Sequence, residues 1–254
     1  LGLPIWAVTP QNEPENGHNE PSLVMTAEEQ LAFVDKHLGP AIKDAGLQTK
    51  IIVFDHNCDH PEYPIKVLNG SRFADGAAFH LYAGDISAMS HVHEATGKDV
   101  YFTEQWTSSD GDFGGDLRWH MKNVVIGSLN NWSKCVLEWN LASDASFGPH
   151  TPGGCQKCLG AVTVLDEDDY RRNVAYYTIG HVSRFVRPGA TRIASHSRDP
   201  SLLATALQNR DGTILVVLLN DSDSVKTFSL STGSKSIRAS MDGGSVASLV
   251  WNRD

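Results

Sequence analysis

As far as Pro188, short β-branched and aromatic runs alternate with stretches of helical spacing; beyond Pro188-Gly189 only strand signals remain. Alternation of this kind demands crossover connections and hence a parallel sheet. The tail demands a separate, strand-only layer. In chain order the strands are the run from Ile5 that ends in Asn12-Glu13-Pro14, Lys50–Asp55 leading into Asp55-His56-Asn57, Gly76–Tyr82, Val100–Glu104 and Cys135–Asn140. Between them, Thr26-Ala27-Glu28-Glu29 reads as a capping box, with Leu31, Val34 and Leu38 on one helical face. Gly39-Pro40 is expected to interrupt that helix, and Gly46 to cap its end. Further helices are expected near Pro64–Leu68, from Asp85 to about Ala95 with Gly97 beyond, over Asp116–Leu129, and near Tyr170–Phe185. The segment from Ser143 to Gly160 reads as a long loop. In the tail, Thr191–Ser195, Leu202–Gln208, Thr213–Asn220, Val225–Ser229, Ile237–Ala239 and Ser245–Trp251 read as strands, with a hairpin turn at Asp211-Gly212.

Two of the parallel strands deliver a glutamate at the end where parallel barrels do chemistry, Glu13 and Glu104. About ninety residues separate them, roughly three βα units at about thirty residues each. Taken alone, Asn-Glu-Pro reads more readily as a turn that happens to contain a carboxylate than as a catalytic strand end. Two such carboxylates projecting into one pocket are what acid-assisted cleavage of a glycosidic bond requires.

Thr9-Pro10-Gln11-Asn12-Glu13-Pro14 and Phe102-Thr103-Glu104-Gln105-Trp106 resemble the acid/base and nucleophile motifs of glycoside hydrolase family 30, which includes glucosylceramidases and endo-β-1,6-glucanases. Phe79-His80-Leu81-Tyr82, Leu137-Glu138-Trp139-Asn140-Leu141-Ala142, Tyr176-Tyr177-Thr178-Ile179-Gly180-His181 and Phe185-Val186-Arg187-Pro188-Gly189 extend the resemblance in the family's order. It implies an α/β fold: strands 4–8 of a (β/α)8 TIM barrel over residues 1–187, then a β-sandwich over residues 188–254. Five strands are too few to close such a barrel. The resemblance places the first three strands outside this chain, and an open sheet invites pairing with a complementing N-terminal fragment. The alternative to an enzyme is a catalytically inactive carbohydrate-binding or structural fragment.

The implied chemistry is retaining hydrolysis, with Glu104 attacking the anomeric carbon and Glu13 protonating the leaving oxygen. Glu13 is then expected to have a raised pKa and Glu104 to be ionised. Asn12 is expected at the sugar 2-hydroxyl, Tyr82 on the nucleophile's oxygen with His80 nearby, and Trp139 under the sugar beside Asn140. Trp106 follows the nucleophile motif and joins the substrate-binding set. Asp55 and His56 end a neighbouring strand and are candidates for an outer subsite. The substrate is a β-linked glucosyl unit in an oligo- or polysaccharide or a glycolipid; glucosylceramide, β-1,6-glucan, simple alkyl or aryl glucosides and a β-xyloside stay open.

Composition trims the remaining classes. A net charge of −9 with no basic cluster argues against nucleic acid as the main partner. No apolar run approaches the length of a membrane span. His91 and His93, two apart on a helix, point away from each other, so no metal is expected there, and no cofactor is implied. Cys155 and Cys158 follow Gly153-Gly154 without further ligands for zinc nearby; they read as a loop-stapling disulfide or two idle thiols. A disulfide implies an oxidising compartment, and the expectation is a secreted or periplasmic protein whose signal peptide lies outside this sequence.

Overall fold

The computed structural model describes residues 2–233 and 235–251. The chain forms two compact units, one of residues 1–105, 131–139 and 146–156, the other of residues 106–130, 140–145 and 157–254.

The first unit is built on five parallel strands in sequential order: β1 (Ala7–Val8), β2 (Lys50–Cys58), β3 (Ala74–Gly84), β4 (Asp99–Glu104) and β5 (Ser133–Val136). Ile51, Ile52, Val53 and Phe54 are all buried, as expected of a strand covered on both faces. One residue from each strand contributes to a layer on one side of the sheet: Ala7, Ile52, Ala78, Tyr101 and Cys135. Helices α3 (Glu62–Gly70) and α4 (Ala88–Thr96) bury Tyr63, Val67 and Leu68, and Met89 and Val92.

Several expected boundaries move, each for a local reason. The first strand stops at Val8, and Glu13 lies in a turn beyond it, at a φ of +49°. The helix opening at Thr26 has its capping box, with Thr26 and Glu29 exchanging hydrogen bonds. Gly39-Pro40 does not break it. Helix α1 (Ala27–Phe33) runs through a π-helical stretch at Val34–Leu38, where Gly39 N–H donates to Val34 O, into α2 (Gly39–Asp44). The wider turn accommodates a proline that has no N–H to give. Gly39 is also required there, because a Cβ would lie 2.3 Å from the Phe73 ring. Helix α4 starts from Ser87, with Asp85 accepting from the Ser87 amide, and ends at Gly97 in the left-handed region. Strand β5 ends at Val136, because the chain then pairs irregularly with the end of β4 through Leu137 N–H to Phe102 O and Trp139 N–H to Gln105 O.

The second unit begins its helical part with α5 (Phe113–Trp119), capped by Asp112, and passes through a π-helical stretch at His120–Ile126 to α6 (Gly127–Asn130). The expected loop and early helix are here partly strand. β6 (Ala142–Asp144), β7 (Val162–Val164) and β8 (Tyr170–Arg172) form a small sheet ordered β8-β7-β6. Asn173 locks it by donating to Gly160 O and Thr163 Oγ1, so α7 starts later than expected and covers Val174–Ser183.

The strands beyond Pro188 match the sequence pattern. β9 (Thr191–Ile193), β10 (Leu202–Gln208), β11 (Ile214–Asn220) and β14 (Val246–Trp251) make an antiparallel sheet. β12 (Lys226–Thr232) and β13 (Lys235–Met241) make a hairpin facing it. Ala206, Ile214, Val216, Leu218 and Met241 fill the space between, flanked by Phe228, Leu230 and Leu249. The opposite face of β11, with Leu215, Val217 and Leu219 buried, packs against α7 and the His120–Ile126 stretch. This is the β-sandwich expected of the tail. Cys155 and Cys158 are both disulfide-bonded, whereas Cys58 and Cys135 are free thiols.

Candidate active site

The C-terminal ends of β2, β3 and β4 and the turn after β1 gather a cluster of polar side chains within the first unit. At its centre is His80 of β3, 1% exposed. Its Nδ1 lies 3.1 Å from Glu13 Oε1 and 3.9 Å from Glu104 Oε1, and its Nε2 lies 3.1 Å from Asp55 Oδ1. Glu104, the last residue of β4, accepts a hydrogen bond from the Tyr82 hydroxyl at 3.1 Å. His80 and Tyr82, two apart on β3, share a face as strand geometry requires. Glu13 is held by its backbone N–H donating to Asp55 O at 3.0 Å. Its Oε2 accepts from the Asn16 and Asn19 carboxamides at 2.7 and 2.6 Å. One oxygen from each glutamate and a ring nitrogen of His80 lie within 4.8 Å of one another.

The charges follow from these contacts. Burial alone would raise the Glu13 carboxyl, but hydrogen bonds from His80, Asn16 and Asn19, with the His80 charge, hold it down at about 2. Burial lifts Glu104 above the ordinary carboxylate range; the His80 charge opposes this lift and the Glu13 charge adds to it. Burial also works against a charge on His80, yet hydrogen bonds to Asp55 and Glu13 raise it to about 9. Burial lowers His56, whose Nδ1 lies 4.0 Å from Glu13 Oε1. The expected order of the two carboxyls is therefore inverted in the unliganded site. Glu13, expected to be raised, has the donors; Glu104, expected to be ionised, has one phenol.

Of the residues singled out in the sequence, Glu13, Asp55, His56, His80, Tyr82 and Glu104 come together. Asp55 is not a free wall residue: it is buried and accepts from Thr103 Oγ1 at 2.7 Å besides holding His80. Asn12 is exposed. Trp139, 47% exposed, is placed past the end of β4 by its amide's bond to Gln105 O. Trp106 and Asn140, both half-buried, belong to the second unit. His93 turns its Nδ1 to Lys98 O and stacks on Trp132, while His91 is exposed.

Sequence reasoning did not single out Asn16, Asn19, Thr103 or Gln30. The first two follow Glu13 in a polar turn, and the donor-rich spacing Glu-x-x-Asn-x-x-Asn was the available signal. The glutamate and histidine atoms are near enough to share one cation. Each glutamate also accepts from an amide or hydroxyl donor, as hydrogen-bonded carboxylates do.

A parallel βα sheet that brings two carboxylates together at the C-terminal ends of its strands has the architecture of a barrel-type glycoside hydrolase. The family model for the glycosyl hydrolase family 30 TIM-barrel domain matches residues 1–186, and that for the family's β-sandwich domain matches residues 189–249. The chain belongs to glycoside hydrolase family 30. It is 34% identical over 249 residues to an endo-1,6-β-D-glucanase of Aspergillus fumigatus, covering 92% of this chain and 50% of that protein. To the lysosomal acid glucosylceramidase of Mus musculus it is 24% identical, covering 99% of this chain and 53% of that protein. A solved endo-β1,6-glucanase structure superposes with a TM-score of 0.93 at 40% identity, over all of this chain and 60% of that one. The chain spans about half the length of the curated relatives it matches.

Proposed function

We propose that the chain carries the catalytic pair of a retaining β-glycosidase that hydrolyses β-linked glucosyl units. Glu104 is the nucleophile and Glu13 the acid/base. The observation that carries the reading is the approach of the two carboxylates to within 4.8 Å across His80. Retention needs a separation of roughly 5–5.5 Å, and inversion needs more room for a water. The Tyr82 hydroxyl on Glu104 orients the oxygen that attacks. Among β-glucosides, the identity to endo-1,6-β-glucanases favours a β-1,6-linked glucan over a glycolipid.

One observation favours a second reading with the roles exchanged: at rest Glu13 is the stronger acid and Glu104 the weaker. The experiment that separates the readings is hydrolysis of a nitrophenyl β-glucoside and of a β-1,6-gluco-oligosaccharide, followed by a 2-deoxy-2-fluoroglucoside label mapped by peptide mass. Label on Glu104 upholds the assignment, and label on Glu13 exchanges it. Equal, near-zero rates for the chain and its Glu104→Gln variant would favour a non-catalytic carbohydrate-binding or structural role. We assign residues 1–187 to the C-terminal part of the catalytic barrel and 188–254 to the sandwich. A segment supplying the remaining barrel strands is the complementing partner. The disulfide-bonded state of Cys155 and Cys158 supports a secreted or otherwise extracytoplasmic location.

A further inference from the structure

The β2–β3 ladder is irregular where it meets the site. Phe54 pairs with Ala78 and His56 pairs with Phe79, so Asp55 is an extra residue on β2. Phe54 and Asp55 both adopt left-handed backbone angles, φ +72° and +62°. Such a conformation is strained for a side chain with a Cβ, and it persists only where neighbours impose it. The neighbour here is Gln30 on α1. It is fully buried, and its Oε1 accepts the Phe54 N–H at 2.9 Å. A bulge of this kind re-aims a side chain. In this one the Asp55 carboxylate meets His80 Nε2 and Thr103 Oγ1.

We propose that Asp55, presented by the Gln30-pinned bulge, is a positioning residue: it fixes the proton of His80 on Nε2, so that Nδ1 is the ring atom that exchanges a proton with Glu13. The inference rests on the glycosidase reading above and deepens it. A carboxylate accepts and cannot donate, so the charged ring carries a hydrogen on each nitrogen, and once Glu13 has taken the Nδ1 proton the one that remains sits on Nε2 facing Asp55. The groups facing His80 are then Glu13 from the turn after β1, Asp55 and His56 from β2, Tyr82 on its own strand, and Glu104 from β4.

The arrangement gives the inverted carboxyls a proton route, one that runs uphill from the resting state because the proton leaves the weaker acid for the stronger. At rest the proton sits on Nδ1 and Glu13 is ionised. In the glycosylation step that proton passes from Nδ1 to Glu13, leaving a neutral imidazole with its Nε2–H on Asp55. Glu13 gives the proton to the departing glycosidic oxygen as the C–O bond breaks and the Glu104 oxygen bonds the anomeric carbon. In the second step Glu13 takes a proton from water as the water oxygen displaces Glu104, and returns it to Nδ1. Protons and charge balance without a further reactant.

The test is a 15N–1H titration of the imidazoles of the chain, with His80 assigned through His80→Gln. In the parent, Nε2–H persists throughout and Nδ1 titrates near the midpoint of about 9. Asp55→Asn is expected to lower that midpoint by about one pH unit or more and to populate both neutral tautomers. Gln30→Met leaves every titratable group in place, and is expected to move the midpoint down by a smaller amount because Asp55 loses its aim. An unchanged midpoint and tautomer in the variants that retain parental circular dichroism would overturn the proposal; if only Gln30→Met folds, its result decides. An intact His80 titration with its predicted variant shifts, alongside absent glucoside turnover, would support the positioning role and count against the glycosidase reading alone.

Discussion

The C-terminal end of the parallel sheet and the four-stranded sheet of the sandwich solve opposite problems. In the sandwich, β10, β11 and β14 pair without a register shift, and β11 is buried along its whole length. Its polar exception, Asn220, donates to the Ser224, Met241 and Asp242 carbonyls. In the parallel sheet the register shifts at five places: between Ile51 and Ile52, Phe54 and His56, Asn57 and Cys58, Phe79 and His80, and Val100 and Phe102. The shifts at Phe54/His56 and Phe79/His80 bracket the buried Asp55, His56 and His80. Regular pairing maximises hydrogen bonds and packing. A site that must point three carboxylates at one imidazole gives up that regularity, and neighbours such as Gln30 hold the result.

The largest expected contrast is between the two glutamates. Under the proposed chemistry, Glu13→Gln and Glu104→Gln each reduce glucoside turnover by on the order of 10²–10⁴-fold. Their effects on stability should differ. Glu104 is less acidic than an ordinary carboxyl because burial disfavours its charge, so the neutral isostere is expected to hold or raise the melting temperature at pH 7. Glu13→Gln leaves His80 without one of its two charged partners at 3.1 Å and is expected to lower it. Thermal unfolding of both variants checks this, and a loss of stability in Glu104→Gln as large as in Glu13→Gln would break the distinction.

Leu218→Ala probes the other region. It opens a cavity among Ile214, Val216 and Met241 and should cost about 2–5 kcal/mol in chemical denaturation. The His80 titration should stay at its parental midpoint. A midpoint that moves with it would break the comparison.

Stability against pH separates the regions by the sign of one buried histidine in each. Glu13 is depressed in the folded state, so its contribution is present above the ordinary 4.5 and is lost as pH falls toward about 2. His80 is raised, so its contribution is full below 6.5 and is lost as pH rises through about 9. In the second unit burial lowers His181; its contribution is present above 6.5 and is lost as pH falls through its lowered value. An alkaline decline that disappears in His80→Gln, with a neutral-to-acid decline that softens in His181→Gln, is the expected pattern in melting temperatures measured from pH 4 to 10.

What the sequence made legible follows the same division. Period-two patterning and turn residues placed all six tail strands within a few residues, because nothing there departs from regular pairing. The strands of the parallel sheet were legible as elements, and the ordered motifs pointed to Glu13, His80, Tyr82 and Glu104. The bulge at Asp55 was not, since Phe54-Asp55-His56 carries no glycine to announce left-handed angles. Nor was the acidity of Glu13, which depends on two asparagines brought back by a turn and on a histidine from another strand. Single-residue patterns carry no such information. The small sheet of β6, β7 and β8 was missed because each strand is three residues long, too short for periodicity to register.

The smallest effect tests whether α1 acts on the site through one atom or through its general stability. Thr26 caps α1, accepting from Glu29 N–H at 3.3 Å while Glu29 returns a bond to the Thr26 amide. Gln30 N–H bonds Thr26 O in the same first turn. Thr26→Ala removes the cap and should cost about 1 kcal/mol, readable as a lower urea midpoint with an unchanged slope. Helix registry from Gln30 onward is still set by backbone bonds and by buried Val34, so the Gln30 carboxamide keeps its hold on Phe54. The expected result is a less stable protein with the parental His80 titration, in contrast to Gln30→Met. A shift of His80 in Thr26→Ala equal to that in Gln30→Met would mean that loosening α1 anywhere relaxes the bulge, and that Gln30 is not its specific pin.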